Sequence, residues 1–390
     1  MGKGAIGQLA AYWPEDTARY AHVPLKRVTE LTVHAIAGVE EERVALVTAT
    51  TRVTFGALSA TVRRVAAALR ARMQRGARVA VALSDPANLS ACMLGAFEAE
   101  MLVWATAGTP SPAALAAFSP ELVVGAAAPG AAPGVSVADL LAAEQRAPAR
   151  QDFRRPILAL GKPDGSGEVL HNHKTLAATA IAWGSFFMID GETRVVLFEP
   201  PTGWLGLAAL LGTWQRGGTL VAAWGEEPAA LPERVDYVVC GWTDAEGRLL
   251  GAVTAEPRLR IGAGAVVGTE VPFSVSRRRR LARRLRTPVL TVFGRSDLGP
   301  VLASHPTWFL DDAVGIPLPN VDTRPMNPKD GTPLNIGWDA VEEAEIGVKS
   351  ALAPAGGVVV DEWLRSGIIG SIDPTGLFFF RGQTPLSVVK

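Results

Sequence analysis

Four features of this sequence carry residue types that could do chemistry. The loop Gly161-Lys162-Pro163-Asp164-Gly165-Ser166-Gly167 joins glycines to one ammonium and one hydroxyl. Backbone N–H groups in such a loop can form an anion nest, with Lys162 and Ser166 as its side-chain donors. The same composition also makes an ordinary surface turn, and Asp164 and Glu168 place negative charge where an anion would sit. Cys240 ends an apolar run, where a thiol could carry an acyl group as a thioester. No His or Asp can be set beside it from sequence, and a buried thiol is usually inert. Trp183, Trp204, Trp224 and Trp242 could line a pocket for a flat or apolar group, although a given tryptophan more often packs in a core. Finally, Ser276 to Arg286 carries seven arginines around Leu281 and Leu285. This run is either a solvated helix face or a docking surface in which Arg277, Arg278, Arg283 and Arg284 meet an acidic partner or the phosphates of a cofactor.

The rest of the chain must position these groups. Its 390 residues are 48% hydrophobic, enough for a large buried core or for two or three packed units. Thirty-eight basic and 38 acidic side chains cancel, which removes the electrostatic case for a nucleic-acid or anionic-membrane protein. Two cysteines make no disulfide framework and fit a reducing, cytoplasmic setting. The opening residues show no secretory signal, and the stretch Leu176 to Ile189 is too short to cross a bilayer of about 30 Å.

Apolar periodicity supplies the elements. Val62, Val65, Ala66 and Leu69 recur at helical spacing, with Arg63, Arg64 and Arg70 off that stripe. Arg78 to Leu83 is a short apolar run between Gly76 and Asp85-Pro86, and reads as a buried strand. A helix from Pro86 and a strand from Met101 continue a strand–helix alternation. The Ala-, Pro- and Gly-rich segment from Gly125 to Arg150 reads as a linker, with a short helix from Val137. Beyond it the alternation resumes at Pro156 to Leu160, Arg194 to Phe198, Thr219 to Ala223, Asp236 to Cys240 and Pro288 to Phe293. After Leu298 short strands with Pro, Gly and Asp turns take over. The expected class is α/β. A first lobe with its linker covers residues 1–150, a second lobe 151–297 and a β-rich subdomain 298–390.

Several segments, in order, resemble the adenylate-forming ligases, the AMP-dependent acyl-CoA synthetases and their relatives. They include VTFGALSATVRRVAAALR, the Val169–His173 segment, Pro200-Pro-Thr-Gly-Trp-Leu-Gly206, the small-residue turn Gly262-Ala263-Gly264-Ala265, Phe293-Gly294-Arg295-Ser296-Asp297 and DEWLRSGIIGSIDPTGLFFFRGQ. The resemblance implies the family's N-terminal body, two doubly wound lobes and a distorted barrel. It also implies that the mobile C-terminal domain is absent, since the chain ends seven residues after Gln383.

It implies a damaged nucleotide site as well. The family's phosphate-loop lysine falls on Gly167, its ribose-binding aspartate on Ile368, and its Gly-Arg on Gly382-Gln383. Phe293 would stack near the base or acyl group, Ser296 would face phosphate, and Asp297 would hold Mg²⁺ with a side chain one methylene short. Gly203, Trp204, Gly241, Trp242, Gly262, Ala263, Gly264, Phe293 and Gly294 would border an acyl or aryl substrate. The expected function is acyl transfer between phosphopantetheine thiols, from CoA to a carrier protein, with ATP and Mg²⁺ use reduced or lost. The alternatives are an adenylation-only ligase serving a partner enzyme, and a non-catalytic acyl-binding subunit.

Overall fold

The short apolar runs become strands. The computed structural model describes residues 13–125, 132–142, 144, 152–161, 167–225, 230–256, 258–270, 274–336, 339–354, 359–360 and 362–383. In chain order the strands are β1 (Val44–Val47), β2 (Arg52–Thr54), β3 (Arg78–Ala82), β4 (Leu102–Thr106), β5 (Leu122–Gly125), β6 (Gly134–Val135), β7 (Pro156–Gly161) and β8 (Glu168–Asn172). They continue with β9 (Arg194–Leu197), β10 (Thr219–Ala222), β11 (Arg234–Gly241), β12 (Arg260–Thr269), β13 (Val289–Arg295), β14 (Gly299–Ala303) and β15 (Ile316–Pro317). The remaining strands are β16 (Val321–Met326), β17 (Val341–Ser350), β18 (Val359–Val360), β19 (Trp363–Ile372) and β20 (Phe378–Gln383).

Three sheets result. The first has the order β6-β5-β3-β4-β7-β8, parallel except for β8 at its edge. The second runs β15-β14-β13-β12-β11-β9-β10-β1-β2, with a parallel centre and antiparallel strands at both edges. The third is antiparallel, β16-β17-β19-β18, with β20 also on β19. Sheet membership cuts across the boundaries drawn from sequence. β7 and β8 complete the first sheet although they follow residue 150, while β1 and β2 cross over to the second. Likewise β14 and β15 still belong to the second sheet, so the antiparallel unit begins at Val321 rather than Leu298.

Helices cover the parallel sheets, as strands buried on both faces require. The helix Phe55–Arg72 starts where the Thr54 hydroxyl accepts the Ala57 amide, and it buries Val62, Val65, Ala66 and Leu69 while Arg63 and Arg64 stay exposed. The helix Trp204–Gln215 is almost wholly buried, and its Trp214 indole donates to the Ala45 carbonyl at 2.8 Å. In the antiparallel unit, Arg365 and Glu345 form a buried ion pair, with Arg365 Nε 2.9 Å from Oε2. The other Glu345 oxygen accepts the Gly367 amide, so β17 fixes the irregular register of β19 at this point.

Burial holds the imidazoles of His171 and His173 down at about 4. Both rings are therefore neutral in the folded protein, whereas an unfolded histidine titrates near ~6.5. The stability they contribute is fully present above that pH and is lost as pH falls toward about 4. Urea unfolding is expected to give a lower free energy at pH 5 than at pH 7, with proton uptake on unfolding. A pH-independent free energy over that range, or proton release, would contradict neutral burial of these rings.

Candidate active site

Parallel strands of an α/β sheet place functional groups beyond their carboxyl ends. In the second sheet these ends carry Glu199 after β9, Gly241 at the end of β11, Gly268 to Glu270 at β12, and Arg295 to Asp297 at β13. The helix Trp204–Gln215 starts at the same edge. A Cβ on Gly294 would lie 2.6 Å from the Trp204 ring, and one on Gly268 would lie 2.4 Å from Leu205. Both glycines are needed for this helix to settle on β12 and β13.

The turn after β13 is closed by its own charges. Arg295 donates to both oxygens of Asp297, Nε to Oδ1 at 2.9 Å and Nη2 to Oδ2 at 2.7 Å, and its third nitrogen donates to the Ser366 carbonyl. The guanidinium is 5% exposed, so it needs a paired anion. The Ser296 hydroxyl donates to the Gly161 carbonyl at 2.7 Å, and His171 Nε2 donates to the Ser296 carbonyl at 3.1 Å. The expected phosphate contact of Ser296 is thus replaced by a strut to the end of β7. The expected metal ligation by Asp297 is replaced by a bidentate ion pair, and this donor set does not fit Mg²⁺. Phe293 is fully buried and meets Phe380 edge-on at 5.8 Å, so it presents no face to a base or acyl group. Ile368 is buried in the core and brings no acceptor for a ribose hydroxyl.

The acyl side is more open. A Cβ on Gly203 would meet no atom within 4 Å. Trp204 is nearly buried, and its indole donates to Glu270 Oε1 at 2.9 Å. Glu199, which the sequence reading missed, sits beside the Gly241 amide. Burial, the largest cause, holds its carboxyl above the usual range; Asp244 and Glu270 add to the rise, against the Gly241 N–H. Its signal was visible as a carboxylate directly after an apolar strand. Arg248 pairs with Asp244 at 3.5 Å and also donates to the Phe198 and Ala223 carbonyls, so it does not reach Glu199 or Glu270. Trp242 is half-buried under the Arg277 guanidinium, 5.0 Å from the ring centre.

Other expectations need correction. Gly262, Ala263 and Gly264 are not a turn; they lie in the first half of β12, where Gly264 pairs with Tyr237, while Gly268 pairs with Gly241 at the crevice. The six residue steps from Gly262 to Gly268 span ~20 Å of strand. Trp183 and Trp224 are buried core residues. Cys240 is fully buried among Val238, Ala265 and Val267, and burial raises its thiol well above the ordinary range. Arg278 is 1% exposed rather than solvated; it donates to the Val289, Leu310 and Asp311 carbonyls and to Ser304 Oγ. Arg277 pairs with Glu246 at 2.6 Å, whereas Arg283 and Arg284 are exposed. Lys162 and Ser166 lie outside the described residues.

No family model and no curated protein matches the chain. Solved structures do. O-succinylbenzoate coenzyme A synthetase (MenE) from Bacillus subtilis, in complex with AMP, has a TM-score of 0.75 at 17% identity, covering 90% of this chain and 78% of that one. The inhibitor-bound N-terminal domain of FACL13 from Mycobacterium tuberculosis gives 0.78 at 17%, covering 92% and 100%. NpsA-ThdA, an artificially fused adenylation–PCP di-domain from Klebsiella oxytoca, gives 0.75 at 16%, covering 93% and 74%. The chain therefore has the fold of the N-terminal body of the adenylate-forming ligases. At these identities the likeness establishes fold alone.

Burial pushes the Cys92 thiol up to about 12 and Cys240 well above its ordinary value. Neither thiol is expected to react with iodoacetamide in the native protein at pH 8, while both react once unfolded. Mass-spectrometric mapping checks this, and prompt native alkylation of Cys240 would restore it as a nucleophile.

Proposed function

We propose that this chain binds an acyl or aryl group at the carboxyl edge of the second sheet and handles it as a thioester, with ATP-dependent adenylation reduced or lost. The observation that carries this reading is the Arg295–Asp297 ion pair. Adenylation requires cations and a metal beside the triphosphate. At this turn the one carboxylate and the one guanidinium satisfy each other. Burial, with Asp244 and Glu270 nearby, holds the Glu199 carboxyl above its usual range, so this position disfavours a free acyl carboxylate more than a neutral thioester carbonyl.

Transfer between phosphopantetheine thiols then runs directly. An incoming thiolate attacks the thioester carbonyl, the new C–S bond forms as the old one breaks, and the departing thiolate takes a proton. Cys240 has no part in it. CoA and an acyl carrier protein are the thiol donors and acceptors that fit this reading, and the adenylation–PCP di-domain is a fold relative joined to such a carrier. No helix among the described residues is long and apolar enough to cross a membrane. Two buried free cysteines fit a reducing compartment, and we place the protein in the cytoplasm.

Side-by-side calorimetric titration with an acyl-CoA series, the free acids and Mg·ATP tests this. Some acyl-CoA is expected to bind at least about tenfold tighter than its free acid or Mg·ATP. Carboxylate-dependent pyrophosphate exchange would overturn the reading. Gly203→Leu fills open space, so it is expected to weaken acyl-CoA binding by about tenfold at unchanged thermal stability.

A further inference from the structure

The second sheet has another concave site at its opposite end. A cavity of about 530 Å³ is lined by Val253, Thr254, Leu259, Arg260, Ile261, Arg284, Leu285 and Arg286. Its charged lining is three guanidinium groups, and the remaining lining is apolar apart from one hydroxyl. Topology brings them together: Arg260 opens β12, while Arg284 and Arg286 end the arginine helix Val275–Leu285. The ten residues of β12 separate this cavity from Thr269 and Glu270 at the crevice by ~30 Å. It is a second site and not an extension of the first.

The arginine helix divides into two parts by function. At its start Arg278 is consumed by four acceptors, while Arg277 and Arg279 pair with Glu246 and Asp311. These contacts fasten the helix to the protein. Among the described residues Arg284 and Arg286 form no ion pair, although Arg284 lies within the field of Glu246, and both side chains are exposed at the cavity. Nearby, Glu233 is engaged by Arg258 at 3.7 Å and does not line the cavity. Clustered arginines repel one another, and a bound anion relieves that repulsion. Guanidinium forks match phosphate oxygens in geometry as well as charge. The volume falls within the ~300–1,000 Å³ of small-ligand sites, and the apolar lining suits an organic body beside the phosphates.

We infer that this cavity binds a phosphorylated organic anion of nucleoside-diphosphate size, with Arg284 and Arg286 gripping the phosphates and Leu259, Ile261 and Leu285 packing against the organic part. The inference does not rest on the crevice reading.

Calorimetry at low ionic strength with ADP, inorganic pyrophosphate and adenosine tests it, using the whole chain. Wild type is expected to bind ADP saturably, pyrophosphate more weakly and adenosine least, with affinity falling as salt rises. The double variant Arg284→Gln/Arg286→Asn is expected to weaken ADP by at least about tenfold. Asn suits the left-handed backbone at residue 286, where φ is +56°. Thermal denaturation checks that the variant folds, and an acyl-pantetheine, which carries the thioester without phosphates, added in excess separates the two sites. Binding of ADP that survives excess acyl-pantetheine and is lost in the variant supports the cavity. No saturable ADP binding, equal binding by variant and wild type, displacement of ADP by acyl-pantetheine, or a glutamate-rich peptide binding tighter than ADP would each overturn it.

Discussion

A guanidinium that is 5% exposed must find a counter-charge, and in this chain Arg295 finds it two residues away. The Arg295–Asp297 pair is the constraint on which the reading of the site depends. Once arginine stands between Gly294 and Ser296, removing Asp297 from it would leave a buried cation unpaired, at a cost of about 3–5 kcal/mol. The third guanidinium nitrogen holds the Ser366 carbonyl, so the same side chain ties β13 to the antiparallel unit. Glu345 in turn fixes the backbone one residue further on, at Gly367. The charges of this turn thus join two sheets.

The two ends of the second sheet contrast in charge. At the carboxyl ends of its strands lie Glu199, Asp244 and Glu270, of which Asp244 is paired with Arg248. At the amino ends lies a cavity whose charged lining is wholly arginine. A cavity of about 620 Å³ at the starts of β1, β9 and β10 is different again, since Arg43 there already bridges Glu40 and Glu192. The edge expected to gather phosphate is thus the acidic one, and the arginine-lined cavity lies at the opposite edge.

Much of this was legible in the sequence and some was not, for physical reasons. Buried parallel strands such as β3 and β13 are unbroken apolar runs, and they stand where the runs predict. β12 was missed because Gly262 and Gly264 dilute its start and imitate a turn, which moved the expected glycine site six residues from Gly268. Arg278 was read as solvated, although it shares a helical stripe with Leu281 and Leu285 at spacings of three and seven. Composition treats every arginine of a run alike; only that stripe reveals the buried one. The Arg295–Asp297 pair was not legible, because neighbours two apart pair only when the backbone folds them onto one side.

The central claim is that Asp297 serves Arg295 and not a metal ion. Titrating Mn²⁺ into protein with ATP, followed by paramagnetic resonance, tests it in wild type and in Asp297→Asn. The account predicts that any Mn·ATP affinity of the wild type is unchanged in the variant to within about twofold. A high-affinity Mn²⁺ site in the wild type that weakens by roughly tenfold or more in Asp297→Asn would contradict it.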